Sequence, residues 1–186
     1  MTEWFCLIDT IVVATTARLE LRQFSLADAE GFYLLNSDPL VMQYTGDHAF
    51  ADIADAARFI RDYDQYRLHG FGRWSLYLTD TQEYIGFCGL SRQHALAEVD
   101  LGFRITRHHW RQGYATEAAQ AAILLAQKRY GLSRLIARAK LDNLASISTL
   151  EKLGFIATEN VGNKDAWEHF CLNIDDIVDS GSVSIV

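Results

Sequence analysis

The sequence predicts a single mixed α/β domain, and three observations carry that expectation. Short runs that alternate apolar with polar residues, the pattern of half-buried strands, interleave with segments of helical periodicity. No internal repeat or Gly/Ser/Pro-rich linker divides the 186 residues, a length that suits one domain burying its own core. Residues 121–126, Ala-Ala-Ile-Leu-Leu-Ala, are apolar on every face of a helix, so that helix must lie at the centre of the molecule.

The elements follow in order. Residues 18–24 alternate Leu19, Leu21 and, after Gln23, Phe24 with polar neighbours and read as a strand. Ser25, with Asp28 three positions on, reads as the N-cap of a helix running to about Leu35, and Asn36-Ser37-Asp38-Pro39 breaks the chain. A second helix is expected over 52–68, where Ile53, Ala56, Ala57, Ile60 and Tyr63 recur at helical spacing. Strands over 71–78 and 84–90 with a four-residue turn between them read as a hairpin. The strand 98–105 sets Val99, Leu101, Phe103 and Ile105 against Glu98, Asp100, Gly102 and Arg104.

Helix 114–130 closes with Lys128 and Arg129 before Gly131, charges and a glycine that suit a helix C-terminus. A strand over 134–140, an N-cap signal at Asp142-Asn143, a short helix stopped by Gly154, and strands over 155–159 and 166–172 complete the order β-α-α-β-β-β-α-β-α-β-β. The division is an N-terminal arm 1–17, a domain 18–172 and a tail 173–186, small and polar at 179–182. The arm's run 5–13, with Ile8, Ile11, Val12 and Val13, suggests an extra strand or a segment packed on the domain or on a second copy, so monomer and homodimer both stay open.

Composition narrows the function. A formal charge of −7 with no basic stripe argues against a nucleic-acid partner. Cys6, Cys88 and Cys171 are odd in number and contain no Cys-x-x-Cys pair, which supports neither a zinc site nor a disulfide framework and points to reduced thiols in the cytoplasm. The histidines form no His-x-x-x-His pair, and the adjacent His108 and His109 read as a surface pair, so no metal is expected. The run 5–13 lacks a basic n-region and a cleavage site and is too short to span a bilayer, so neither a signal peptide nor a membrane partner is expected.

The most informative stretch is Trp110-Arg111-Gln112-Gly113-Tyr114-Ala115-Thr116-Glu117-Ala118, between the strand 98–105 and the central helix. The first turn of a helix has unpaired N–H groups and a partial positive charge, and a phosphate docks there. Any side chain larger than alanine at 113 or 115 would stand between that backbone and its guest. The stretch therefore reads as a pyrophosphate cradle. The competing reading is a plain strand-to-helix turn, with glycine chosen for its backbone angles and alanine for packing. Neither Gly-x-Gly-x-x-Gly nor a Walker-type Gly-x-x-x-x-Gly-Lys string occurs, so dinucleotide and nucleoside-triphosphate sites are demoted.

Six strings, in this order, resemble the GNAT superfamily of N-acetyltransferases, and within it the ribosomal-protein acetyltransferase (RimJ/RimL-like) branch. They are Arg18-Leu19-Glu20-Leu21-Arg22, Asp38-Pro39 with Val41-Met42-Gln43-Tyr44, Ile85-Gly86-Phe87-Cys88-Gly89-Leu90, Asp100-Leu101-Gly102-Phe103, the 110–118 stretch, and Asn143 with Ser146 ahead of Glu151-Lys152-Leu153-Gly154-Phe155. The resemblance covers about 18–172. It implies a twisted mixed sheet with helices on both faces and splayed middle strands, acetyl-CoA as donor, and an amine, of a protein N-terminus or a small molecule, as acceptor. By that similarity the backbone of Arg111, Gln112, Gly113, Tyr114, Ala115 and Thr116 holds the CoA pyrophosphate. The pantetheine lies between the strand carrying Phe103 and Ile105 and the strand 136–140, with Asn143 on the pantetheine arm and Ser146 near the thioester sulfur. Two departures stand out: Trp110 where the wider superfamily often has Gln or Arg, and Leu150, which cannot donate a proton, where it often has a tyrosine acid.

Thioester aminolysis needs a neutral amine, and a carboxylate can take the amine's proton as attack proceeds. Asp100, where the family commonly carries Glu, is the first candidate base, against the competing reading of a solvated strand Asp or a partner for Arg104, and Glu98 on the same face is the second. Ser146 is the candidate donor to the leaving sulfur, and N–H groups near Phe103 the candidates to polarise the carbonyl. Glu117 reads mainly as an acidic residue serving the helix dipole. Trp74 and Tyr77 read as core, whereas Tyr44 and Phe50 are open between core and an acceptor groove. An acyl-CoA-binding sensor on the same fold is the alternative to an enzyme, and Asp100 and Ser146 beside the cradle favour the enzyme.

Overall fold

The alternating runs become strands of one sheet, and the apolar-all-round segment becomes the helix buried on it. The computed structural model describes residues 10–92, 98–158, 166–175 and 183–186. Among these, the strands are β1 (Val12–Thr15), β2 (Leu19–Gln23), β3 (Arg73–Leu78), β4 (Tyr84–Arg92), β5 (Val99–Ile105), β6 (Arg134–Lys140), β7 (Ile156–Ala157), β8 (Trp167–Asn173) and β9 (Ser184–Ile185). They form one open sheet in the order β7-β8-β6-β5-β4-β3-β2-β1-β9, antiparallel except where β5 meets β6. The helices are α1 (Ala29–Leu35), α2 (Pro39–Met42), α3 (Ile53–Asp62), α4 (Gln65–His69), α5 (Tyr114–Lys128) and α6 (Leu144–Lys152). None of the described helices is long and apolar enough to cross a membrane.

Strand β4 shows how the two faces are made. Ile85, Cys88 and Leu90 join the cluster under α5, while Tyr84 and Phe87 join the aromatic cluster under α1 and α3. A register shift opposite Leu76 and Tyr77 resets the alternation between them. Helix α5 approaches closely because Ala118, Ala119, Ala121, Ala122 and Ala126 are small, and Leu125 anchors it fully buried. Each buried Leu or Ile contributes roughly 1.5–3 kcal/mol. The resulting α/β domain, with helices on both faces of a mixed sheet, is the fold expected.

Three details depart from the sequence reading. The helix expected over 52–68 is two helices, because Tyr63 takes an extended conformation (ψ 106°) at the end of α3. The break turns two rings inward: the Tyr63 hydroxyl accepts the Arg73 N–H at 2.7 Å, and the Tyr66 hydroxyl accepts the Phe24 N–H at 3.0 Å and donates to the Arg73 carbonyl. Helical periodicity cannot report that competition. Pro39 at the first position and Asp38, accepting the Leu40 N–H at 2.9 Å, also build a short helix where only a chain break was expected.

The third departure is at the termini. The run 5–13 falls mostly outside the described residues, but Val12 and Val13 open β1, which pairs with β2 on one side and β9 on the other. The tail 173–186 thus supplies a strand, and Ile174 in it is fully buried. Deleting residues 2–15 removes β1 and the burial of Val13, worth roughly 1.5–3 kcal/mol. About 1 kcal/mol moves Tm by roughly 2–4 °C in a domain of this size, so calorimetry is expected to show a drop of at least ~3 °C. An unchanged Tm would show β1 to be dispensable.

Candidate active site

The stretch expected to form a cradle begins just after β5 ends. Residues 107–109 form a single 3₁₀ turn, and the chain enters α5 through two left-handed residues, Arg111 (φ 60°) and Gly113 (φ 83°). Gly113 takes that conformation freely, whereas Arg111 carries strain of about 1–3 kcal/mol that its surroundings must offset. The Trp110 indole donates to the Ile105 carbonyl at 2.7 Å, the Gln112 side chain donates to the His108 carbonyl at 2.9 Å, and Arg18 donates to the Gln112 carbonyl at 2.9 Å. The helix's own ladder here starts at the Glu117 N–H, bonded to the Gly113 carbonyl, so the N–H groups ahead of it in the first turn have no place in that ladder.

Glu117 has a larger role than the helix dipole. Its carboxylate accepts from the Thr16 hydroxyl at 2.6 Å, the Arg18 N–H at 3.0 Å and the Arg18 Nε at 2.7 Å. Arg18 also lies over the Tyr114 ring, 4.4 Å from its centroid. The sequence reading used Arg18 only as part of a strand motif. A carboxylate in the first turn of an otherwise apolar helix was the available signal that a cation had to be near. A cavity of about 440 Å3, lined by Thr16, Arg18, Gly113, Thr116 and Gln120 among others, adjoins this arrangement.

The sheet parts beside the cradle. Strands β5 and β6 share one paired position, Asp100 with Ile136, and no ladder beyond it. Phe103 is half-buried and Ile105 buried on β5 past that point. On the far side of the gap, the Asn143 side-chain oxygen accepts the Ser146 N–H at 3.2 Å, so Asn143 caps α6 and Ser146 lies in its first turn. Leu150, four residues after Ser146 in the same helix, is buried. The two acidic candidates sit differently: Glu98 faces solvent and pairs with Arg134 at 3.4 Å, while Asp100 is largely buried against Arg73.

Arg73, not Arg104, is the partner of Asp100. Its guanidinium lies across β4, donating to the Gly89 carbonyl, to the Asp100 carbonyl at 3.2 Å and to Asp100 Oδ2. Arg104 instead donates to Asn36 and pairs with Asp47 at 2.7 Å; burial pulls its pKa down, and Asp47 opposes that shift. On the same side, Lys140 donates to the Gln43 carbonyl at 2.7 Å, and Gly46 sits so close to the Trp167 ring that a Cβ there would lie 3.0 Å from it. Residues 43–47 are therefore fastened to β5 through Arg104 and to β6 through Lys140, across the parting strands. Tyr44 is half-buried in this segment. Phe50 packs with Phe32 and Phe59, Trp74 is fully buried, and the Tyr77 hydroxyl donates to Asp28, so these three belong to the packing. Among the described residues, no group of three or more His, Cys, Asp or Glu side chains is placed to hold a metal ion.

Known proteins share this domain and fold. The family model described as the acetyltransferase (GNAT) domain matches residues 18–156. An uncharacterized N-acetyltransferase of Bacillus subtilis, YoaA, is 34% identical over 147 residues, covering 77% of this chain and 82% of that protein. An acetyltransferase from Agrobacterium tumefaciens superposes with a TM-score of 0.75 at 23% identity, covering 93% of this chain and 99% of that one. RimL, a ribosomal α-N-protein acetyltransferase, superposes with a TM-score of 0.69 at 14% identity, covering 88% of this chain and 94% of that one. At such identities the two structures speak for the fold.

Proposed function

Because the chain belongs to the GNAT acetyltransferase family, we propose that it transfers the acetyl group of acetyl-CoA to a primary amine by direct attack in a ternary complex. The observation that carries this reading is the coincidence of the strained Arg111–Gly113 entry to α5 with the parting of β5 from β6. One offers N–H groups to a pyrophosphate, and the other leaves β5 backbone unpaired beside a thioester arm. In this reading Arg111, Gln112, Gly113, Tyr114, Ala115 and Thr116 hold the pyrophosphate, Phe103 and Ile105 line the pantetheine, and Asn143 reaches it with the amide nitrogen that capping leaves over. Residues 18–172 form the catalytic unit, with an arm before and a tail after, acting in the cytoplasm.

The amine's lone pair attacks the thioester carbon, the N–C bond forms and the C–S bond breaks. Asp100, or Glu98 in its place, takes the proton that the nitrogen sheds, and the CoA thiolate leaves with a hydrogen bond from Ser146. The acceptor we propose is a protein N-terminal α-amine, as the RimJ/RimL-like resemblance implies. Roughly a tenth of such amines are neutral at pH 7, against fewer than about one in a thousand lysine side chains, so one carboxylate suffices as base. Ser146→Ala is expected to slow CoA release only ~10-fold, because a thiolate near its own pKa leaves with partial help. A loss of more than ~10²-fold would make the hydroxyl an obligatory acid instead.

The test is CoA release, with mass-spectrometric product detection, across N-terminal peptides, polyamines and aminoglycosides. Turnover on a peptide α-amine is the expected result. Turnover confined to a small-molecule amine would move the acceptor class. Acetyl-CoA binding with no release on any amine would favour the acyl-CoA sensor.

A further inference from the structure

Arg73 is held more firmly than an ion pair at a sheet surface requires. Its N–H and its carbonyl are both fastened by tyrosines, Tyr63 and Tyr66, from the two sides of the helix break. Its side chain then crosses β4 to β5 over Gly102, where a Cβ would fall 2.6 Å from Nη2 and 2.7 Å from Cζ. Only glycine at 102 lets the guanidinium lie flat there and reach Asp100. On the other side of that bare position, Arg104 is turned away to Asn36 and Asp47, so the two arginines do not compete for one carboxylate.

Asp100 is the β5 residue at its single paired position with β6. Its Oδ2 is taken by Arg73, and Oδ1 has no hydrogen-bond partner among the described residues. Burying an ion pair contributes little to stability by itself, since apolar replacements are often as good, so stability alone is a poor reason for this arrangement. An arginine is, in contrast, well suited to fixing a carboxylate's plane, and it never gives up its own proton.

We infer that Arg73 is the positioning residue of the base: by gripping Oδ2 it turns Oδ1 toward the gap between β5 and β6, where the attacking amine sheds its proton. This rests on the reading of Asp100 as the base. The proton passes from the amine nitrogen to Oδ1, directly or through one water, and then to solvent; Arg73 itself neither gains nor loses one.

The test is a double-mutant cycle on kcat for CoA release at saturating acetyl-CoA and amine, using Arg73→Ala, Asp100→Asn and both together. A carboxylate free to swing out of place is expected to cost about 10²-fold. Arg73→Ala should therefore lower kcat ~10²-fold in the wild-type background and less than ~2-fold in the Asp100→Asn background. The KM for acetyl-CoA should stay level, and added methylguanidinium should restore part of kcat in Arg73→Ala. Should Arg73→Ala fail to fold, Arg73→Lys replaces it in the cycle, with a smaller loss expected from a one-point contact and the same non-additivity. Equal losses in both backgrounds, or an unchanged kcat, would overturn the inference while leaving Asp100 in place. A normal rate for Asp100→Asn alone would instead remove the base, and with it this role for Arg73.

Discussion

Asp100→Asn is expected to lower turnover by about 10²–10⁴-fold while leaving acetyl-CoA affinity nearly unchanged. The amide keeps the carboxylate's shape, and its oxygen still accepts from Arg73, so the packing around Gly102 is preserved. What disappears is the capacity to accept a proton. Without it, only the fraction of acceptor already neutral reacts, and that fraction grows with pH. The variant's rate should therefore rise by about tenfold through the amine's own titration, at pH ~7.7–8.0 for an N-terminal α-amine, a partial rescue that leaves the rest of the loss in place. CoA release measured against pH for both proteins is the decisive comparison. A near-normal rate at neutral pH would take Asp100 out of the mechanism and turn attention to Glu98, which the fold leaves solvent-facing beside Arg134.

Gly113→Glu is expected to abolish acetyl-CoA binding. Residue 113 sits at φ 83°, a conformation that costs a non-glycine residue about 1–2 kcal/mol, and its Cβ would lie 3.4 Å from Arg18 Nη2. The new side chain would also place a negative charge beside the pyrophosphate. For wild type, acetyl-CoA at a hundred times Kd should add ~2.7 kcal/mol to stability, readable as a rise in Tm. The variant should show no rise. Gly113→Ala serves as the control, since it carries the backbone strain without the bulk or charge and should keep most of the shift. A full wild-type shift in Gly113→Glu would mean the pyrophosphate sits elsewhere.

What the sequence makes legible here is local. Strand alternation, the N-cap at Asn143 and the glycine entry to α5 are all encoded within a turn or two of chain, and each stands where the pattern placed it. The expectations that had to be revised involve partners far away. Tyr63 reads as a helical position until Arg73 is folded back against it, and Asp100 reads as a partner of its neighbour Arg104 until a cation 27 residues distant arrives over Gly102. Glu117 and Arg18 are 99 residues apart, which no periodicity can relate. Their charges were visible, but not which of them the sheet would bring together.

Among the described residues, both borders of the sheet consist of two-residue strands, β7 at one side and β9 at the other. An exposed edge is a template on which another chain can add a strand, and its hazard grows with the length of unpaired backbone it offers. Here each template is two residues long, even though Ile156 on β7 is 71% exposed and apolar enough to invite a neighbour. The C-terminal strand thus acts as a stopper on β1, whose longer flank would otherwise face solvent. Trimming residues 183–186 should accordingly make the protein more prone to self-association on concentration before it makes it a poorer folder.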